Sequence, residues 1–141
     1  MSTSTYLRTR VDRRPLAGLL AVGDAIALAA FVVAGLLQHG GQPLSNPGAV
    51  AGTLAPFLLA WVAVALVGGL YTAEAVRSVR RALGWTAPAW VVAVLLGHGL
   101  RATPLFDGGT TVAFVLVTLV VGGLLVVGWR LLLAVSTENA G

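Results

Sequence analysis

The amino-acid sequence predicts an all-α membrane protein, folded as an antiparallel bundle of four transmembrane helices with both termini in the cytoplasm. The first observation behind this prediction is composition. Of 141 residues, 57% are hydrophobic and only 10% are charged, whereas a soluble domain carries about 25% charged residues. A soluble fold of this size cannot bury so much apolar surface. The composition therefore predicts that lipid solvates most of the chain.

The second observation is a set of four apolar runs, each near the length of about 20 residues that a helix needs to cross the hydrocarbon layer. The predicted spans are residues 16–38, 48–71, 85–102 and 111–135. Runs of this length exceed ordinary strands, and a helix satisfies its own backbone polar groups inside lipid. The division leaves a polar, basic N-terminal segment at residues 1–15 and a polar C-terminal tail at residues 136–141.

The first predicted helix contains one charged residue, Asp24, among mostly apolar neighbours. It ends in the segment HGGQPLSNPG (39–48), where three glycines and two prolines indicate a turn. Asn46 is predicted to cap the second helix. Pro47 is predicted to occupy its first position, where a missing N–H is tolerated.

The third and fourth predicted helices follow a basic segment. Residues 72–84 are predicted as a loop rather than as a short interfacial helix, because basic loops are the rule on the cytoplasmic side. Thr86 and Pro88 then mark the start of the third helix, which ends before Pro104. The fourth helix is predicted to begin near Thr110.

The third observation is the distribution of the nine arginines, which indicates the direction of the spans. Eight of them would lie on one side of the membrane: Arg8, Arg10, Arg13, Arg14, Arg77, Arg80, Arg81 and Arg130. Arg101 is alone on the opposite side, so both termini are predicted to be cytoplasmic. Trp85, Trp129 and Tyr71 fit the aromatic belt on the cytoplasmic side, whereas Trp61 would lie near the middle of the membrane.

Asp24 needs an explanation, because a carboxylate near the centre of a span costs roughly 2.5 to 3.5 kcal/mol to insert. Charged residues in spans face the bundle interior and are paired. At 1.5 Å per residue, Asp24 would lie about 12 Å from the cytoplasmic boundary and Arg130 about 6 Å from it, with a long side chain that reaches inward. We therefore expect a buried Asp24–Arg130 pair, provided that the two helices are neighbours.

Helical phase, at about 100° per residue, aligns other residues with these two charges. It gives three stripes: Asp24, Phe31, Gly35 and His39; Trp90, Gly97 and Arg101; and Leu119, Gly123 and Arg130. The candidate polar site comprises Asp24, His39, Trp90, Arg101 and Arg130. Small residues let neighbouring helices approach closely, so the predicted helix-packing positions are Gly35, Gly97 and Gly123.

No cofactor, metal site or catalytic residue is predicted. The chain has no cysteine, and it contains no phosphate-binding glycine motif, zinc signature or nucleophile elbow. His39 and His98 both fall near the outer surface, where two histidines could ligate haem iron. We favour the alternative that both histidines form hydrogen bonds with water, lipid headgroups or Arg101. A metal-bound histidine needs a hydrogen-bond partner for its other ring nitrogen, and no such partner is evident in the sequence. The net charge of +4 comes without a basic run and interleaved aromatics, so no nucleic acid is predicted as a partner.

Together these motifs resemble the DUF3054 family of small prokaryotic membrane proteins. The resemblance extends from about Leu16 to Leu133 and excludes His98 from its pattern. The matching residues are Asp24, Phe31, Gly35, His39, Pro56, Phe57, Trp90, Leu100, Arg101, Gly128, Trp129 and Arg130. The resemblance implies a multi-pass protein of a prokaryotic plasma membrane. It implies no activity, because the function of the family is unknown.

Two functions compete at this point. The first is a structural or interaction role, as a subunit of a membrane complex or a self-associating bundle, in which the Asp24–Arg130 pair fixes the helix order. The alternative is a small proton-coupled transporter or channel, in which burial favours protonation of Asp24 and its carboxylate couples proton movement. Pairing with Arg130 would instead hold Asp24 ionised. This single contact therefore discriminates between the two functions.

An enzymatic or redox role on lipid or quinone is not favoured. His39, Arg101 and Trp90 would be its residues, but the sequence contains no recognisable nucleophile–base set. The expected partners are the lipid bilayer and either a second copy of the chain or another membrane protein.

Overall fold

The computed structural model describes residues 15–106 and 108–140. This part of the chain is all-helical, with α1 (Pro15–Gln38), α2 (Pro47–Gly68), α3 (Val79–Arg101) and a last helix, α4. Each of the four helices is long and apolar enough to cross a membrane. The all-α class and the number of candidate spans are thereby confirmed. The predicted N-terminal segment, residues 1–15, lies outside the described residues except for Pro15.

The last helix, α4, has three parts that follow one another without a break: Val112–Val117, the π-helical turn Thr118–Gly122 and Gly123–Ala140. The Thr111 hydroxyl caps its start by accepting a hydrogen bond from a backbone N–H of the first turn at 3.1 Å. Residues predicted as a polar tail, 136–141, continue the helix as far as Ala140. Ser and Thr hydroxyls there donate to carbonyls one turn earlier, which keeps these polar residues compatible with a helix.

The start of α2 agrees with the sequence. Asn46 Oδ1 accepts a backbone hydrogen bond from the first turn at 3.2 Å, and Pro47 is the first residue of the helix. The end differs, because α2 stops at Gly68 rather than at Tyr71. Gly69 adopts a left-handed conformation, with φ of 71°, that ends the helix. The chain after Gly69 is therefore free to turn back into the bundle.

The start of α3 differs from the one predicted. The helix begins at Val79 rather than at Trp85, so the interpretation of Thr86 and Pro88 as a helix start is wrong. Pro88 lies inside the helix, a position that spanning helices tolerate when neighbouring groups satisfy the freed carbonyl. The predicted basic loop, residues 72–84, therefore contains the first turns of α3.

Two side chains cap this early start of α3. The Ser78 hydroxyl accepts a hydrogen bond from Arg81 N at 3.1 Å, and Glu138 Oε1 accepts one from Val79 N at 3.0 Å. Both bonds satisfy N–H groups that the first turn of a helix leaves without partners. Because Glu138 belongs to α4, its bond also ties the end of the last helix to the beginning of α3.

The helices form a ring in chain order. Among the described residues, α2 packs against α1 and α3, α3 packs against α4, and α4 packs back against α1. The interior is closed by side chains with no exposed surface, among them Leu20, Leu28, Trp61, Val94 and Val126. The outer surface is apolar, and Leu124, for example, is 71% exposed. This arrangement suits lipid as the surrounding medium, and it makes α1 and α4 neighbours.

Candidate functional site

The Asp24 carboxylate on α1 forms a buried ion pair with Arg130 on α4. Arg130 Nε donates to Asp24 Oδ1 at 2.9 Å, and Arg130 Nη2 donates to Asp24 Oδ2 at 2.6 Å. The Asp24 side chain is 1% exposed and the Arg130 side chain is 0% exposed. The predicted buried Asp24–Arg130 pair is therefore confirmed, in the two-pronged geometry that suits a guanidinium and a carboxylate.

Two indoles complete the coordination of this carboxylate. Trp61 Nε1 donates to Oδ2 of Asp24 at 2.8 Å, and Trp129 Nε1 donates to Oδ1 at 2.8 Å. Each oxygen thus accepts one guanidinium and one indole hydrogen bond. A carboxylate needs such partners when water is excluded. We call these four residues, Asp24, Trp61, Trp129 and Arg130, the Asp24 centre.

Arg130 also binds the segment that follows α2. Its Nη1 donates to the carbonyl oxygen of Leu70 at 2.9 Å, and its guanidinium carbon lies 5.6 Å from the centroid of the Trp61 ring. The Leu70 carbonyl is available because the left-handed Gly69 has ended the helix before it. The centre therefore joins α1, α2 and α4 through one arginine and one carboxylate.

A glycine beside Asp24 makes room for one of the indoles. A Cβ atom at Gly23 would overlap the six-membered ring of Trp129. Trp129 can reach the Asp24 carboxylate only because the preceding residue on α1 has no side chain. The geometry of the Asp24 centre therefore depends on a glycine at position 23.

Neither indole donor was predicted from the sequence. Trp129 was predicted for the aromatic belt without a hydrogen-bond partner, and its N–H points inward to Asp24. Trp61 was placed near mid-membrane without a role. The usable signal is that an indole N–H only donates and needs an acceptor when buried. Asp24, the carboxylate of the first predicted span, was available as the acceptor for these indoles.

Tyr71 lies next to the Asp24 centre and is 6% exposed. The pKa of its phenol is raised from 10.0 to about 12, mainly by burial and also by the negative charge of Asp24, while Arg130 opposes the shift. The folded protein therefore binds the phenolic proton more tightly than the unfolded chain does. The stabilisation by this proton is complete below pH 10 and is lost as the pH rises towards 12.

We expect the stability of the wild-type protein to fall between pH 10 and pH 12, and Tyr71→Phe to remove this part of the loss. The measurement is unfolding in detergent at a series of pH values, with tyrosinate absorbance recorded in parallel. Wild type should show one late-titrating tyrosine that the variant lacks. Equal pH profiles for both proteins would contradict the assignment.

A second polar cluster surrounds His98, near the C-terminal end of α3. The Thr118 hydroxyl donates to Phe114 O at 2.6 Å, so it accepts from His98 Nε2 at 3.1 Å. In the neutral ring Nδ1 then accepts from the Thr110 hydroxyl at 2.5 Å. Both ring nitrogens have partners.

Trp90 and Arg101, two further residues of the predicted site, bind backbone carbonyls away from Asp24. Trp90 Nε1 donates to Leu119 O, in the π-helical turn of α4, at 3.2 Å. Arg101 Nε donates to Gly109 O at 2.9 Å, and the guanidinium lies 4.9 Å from the centroid of the Phe114 ring. The candidate polar site is therefore divided. Asp24 and Arg130 belong to the Asp24 centre, Trp90 packs against Trp61 of that centre with ring centroids 5.9 Å apart, and Arg101 binds elsewhere.

His39 needs a correction. It is exposed, because α1 ends at Gln38 and leaves it outside the packed part of the helix. It nevertheless lines a cleft together with Arg101. His39 therefore does not belong to an inward-facing stripe that includes Asp24.

The predicted helix-packing glycines also differ from one another. A Cβ at Gly97 would meet the Phe57 ring at 2.5 Å, and one at Gly123 would meet Trp90 at 3.1 Å. Gly35 needs a correction, because no atom lies within 4 Å of a Cβ built there. It faces open space, so no helix approaches it closely.

The Asp24 centre falls within the part of the chain that comparison with known families recognises. The family model described as a protein of unknown function, DUF3054, matches residues 21–133. No curated protein and no solved structure matches the chain significantly. The match covers most of the sequence and includes all four residues of the Asp24 centre. The chain therefore belongs to the DUF3054 family, whose function is unknown.

Proposed function

We propose that the protein is a multi-pass protein of a prokaryotic plasma membrane that acts through interactions. It would serve as a subunit of a membrane complex or as a self-associating bundle, with Asp24 and Arg130 locking its helices together. The observation that carries this proposal is the set of four hydrogen bonds on the Asp24 carboxylate, two from Arg130 and one each from Trp61 and Trp129.

These bonds favour a lock over a proton-coupled transporter. Protonation of Asp24 would leave the buried guanidinium of Arg130 without a counter-ion and would weaken four hydrogen bonds at once. A buried charge that loses its partner is strongly destabilising. A transporter needs a carboxylate that exchanges its proton during each cycle, whereas both oxygens of this carboxylate already accept hydrogen bonds from a guanidinium and an indole.

The proposed topology has antiparallel neighbours and cytoplasmic termini. The connection between α1 and α2 and the one between α3 and α4 are short, and helices joined by short connections pack as antiparallel neighbours. Eight of the nine arginines then lie on the side of the two termini, as the positive-inside rule requires.

Purification of the tagged protein at native expression level in mild detergent tests the interaction role. We expect a species larger than the monomer. The double variant Asp24→Leu/Arg130→Met should retain this assembly, because matched apolar residues can replace a buried ion pair. A strictly monomeric protein with no partner would contradict the proposal.

Proteoliposomes test the competing function in parallel. We expect no proton-driven flux that depends on Asp24. Flux in wild type that disappears in Asp24→Asn would instead establish the transporter. The double variant provides the control for folding, because it lacks the carboxylate but keeps the space filled.

A further inference from the structure

A cleft of about 420 Å³ opens between α1 and the first turns of α4. Its volume falls in the range of about 300 to 1,000 Å³ that is typical of small-molecule sites. Its walls are mostly apolar, with Phe31, Val32 and Leu36 from α1 and Phe114 from α4, and its polar residues include His39 and Arg101.

The cleft is polar at one end and apolar along its depth. His39 directly follows α1, Arg101 is the last residue of α3, and Thr111 caps α4. Phe31 lies eight residues before His39, which corresponds to about 12 Å along a helix. This gradient matches a molecule with a polar head and an apolar chain.

The cleft lies where α1 and the first turns of α4 do not pack against each other. α1 packs against the π-helical turn Thr118–Gly122 and against the later part of α4, while Val112–Val117 packs on α3. The first turns of α4 therefore stand away from α1. π-helical turns are frequent at functional sites, and this one lies where α4 diverges from α1.

Arg101 supplies a nearly buried positive charge to this cleft. It is 8% exposed, and the ion pairs within residues 15–106 and 108–140 do not include it. The described partners of its guanidinium, Gly109 O and the Phe114 ring, are neutral, so an anion in the cleft would add a charge partner. Asp107, six positions later in the sequence, lies outside the described residues.

We infer that the cleft binds an anionic phospholipid of the surrounding bilayer. The phosphate group binds Arg101, with His39 at the mouth, and the first part of one acyl chain lies against Phe31 and Phe114. This site goes beyond the proposed interaction role and does not depend on it. Asp24 stands fifteen residues before His39, or about 22 Å along α1.

Gly35 and Gly18 provide a matched pair of variants on α1. A Cβ at either position meets no atom within 4 Å, but Gly35 lines the cleft and Gly18 does not. Gly35→Leu therefore adds a side chain at the wall of the cleft, from a position where its Cβ meets no atom, and leaves the charge unchanged. Gly18→Leu tests the effect of the same substitution elsewhere on the helix.

The experiment is native mass spectrometry of the delipidated full chain in a neutral detergent, titrated with phosphatidylglycerol or with phosphatidylcholine of the same chains. We expect one tight phosphatidylglycerol per chain and much weaker phosphatidylcholine binding. Arg101→Gln should weaken the tight site about tenfold or more, because a hydrogen-bonded charge pair is lost. Gly35→Leu should weaken it similarly, while Gly18→Leu should match wild type.

Two further variants separate this site from other charges. Arg80→Gln removes an arginine outside the cleft and should leave the tight site intact. Asp107→Asn should not weaken binding. Equal binding of the two lipids, or wild-type binding by Gly35→Leu, would overturn the inference. So would a tight site that is lost in Arg80→Gln and kept in Arg101→Gln.

Discussion

Arg130→Met is expected to destabilise the protein by about 3 to 5 kcal/mol, because it leaves the Asp24 carboxylate buried without a cation. The two side chains are 0% and 1% exposed, so water cannot replace the lost guanidinium without opening the bundle. The substitution also removes the hydrogen bond to the Leu70 carbonyl. Unfolding by sodium dodecyl sulfate in mixed micelles, followed by circular dichroism, measures the loss.

The double variant Asp24→Leu/Arg130→Met should recover much of this loss. It removes the unpaired charge and fills the same volume with apolar atoms, and such replacements are often neutral or stabilising. Trp61 and Trp129 would still lose their acceptor, so the recovery should be incomplete. A double variant that is less stable than Arg130→Met would contradict this account.

Arg77→Met is the matched control. Its ion pair with Glu74 spans 3.1 Å, but the two side chains are 64% and 52% exposed. Exposed pairs contribute little, so the expected change is below about 1 kcal/mol. If Arg130→Met proves no more harmful than Arg77→Met, the Asp24–Arg130 pair cannot be the lock that joins α1 to α4.

The sequence predicted the helices well where local chemistry decides. The apolar runs gave the candidate spans, and Asn46 with Pro47 gave the start of α2, because capping depends on residues within one turn. The start of α3 was missed because part of its cap comes from Glu138, on another helix. The arginines of residues 72–84 also favoured the interpretation as a cytoplasmic loop, although a helix can expose arginine side chains equally well.

The site was predictable only in part, for a related reason. The predicted depths of the two residues in the membrane suggested the Asp24–Arg130 pair. The ring of helices makes α1 and α4 neighbours, so the two side chains can meet. The roles of Trp61 and Trp129 depend on which way each helix faces, and apolar residues all around a spanning helix hide that direction. The hydrogen bonds of His98 likewise depend on Thr110 and Thr118, which other parts of the chain supply.

Gly23→Leu is expected to destabilise the protein by about 3 kcal/mol, because it adds an overpacking penalty to the loss of an indole hydrogen bond on a buried carboxylate. A side chain at Gly23 must displace the Trp129 ring, which donates to Asp24 Oδ1 at 2.8 Å. Gly18→Leu, on the same helix but with open space around it, should change the stability little.

A second substitution separates overpacking from a general effect of leucine on α1. Trp129→Ala should be destabilising alone, since it removes the indole and its hydrogen bond. Combined with Gly23→Leu, however, it vacates the space that the new leucine needs. The double variant should therefore be more stable than the sum of the two single losses predicts, as expected for residues in contact. Strict additivity in the same unfolding assay would show that Gly23 does not act by making room for Trp129.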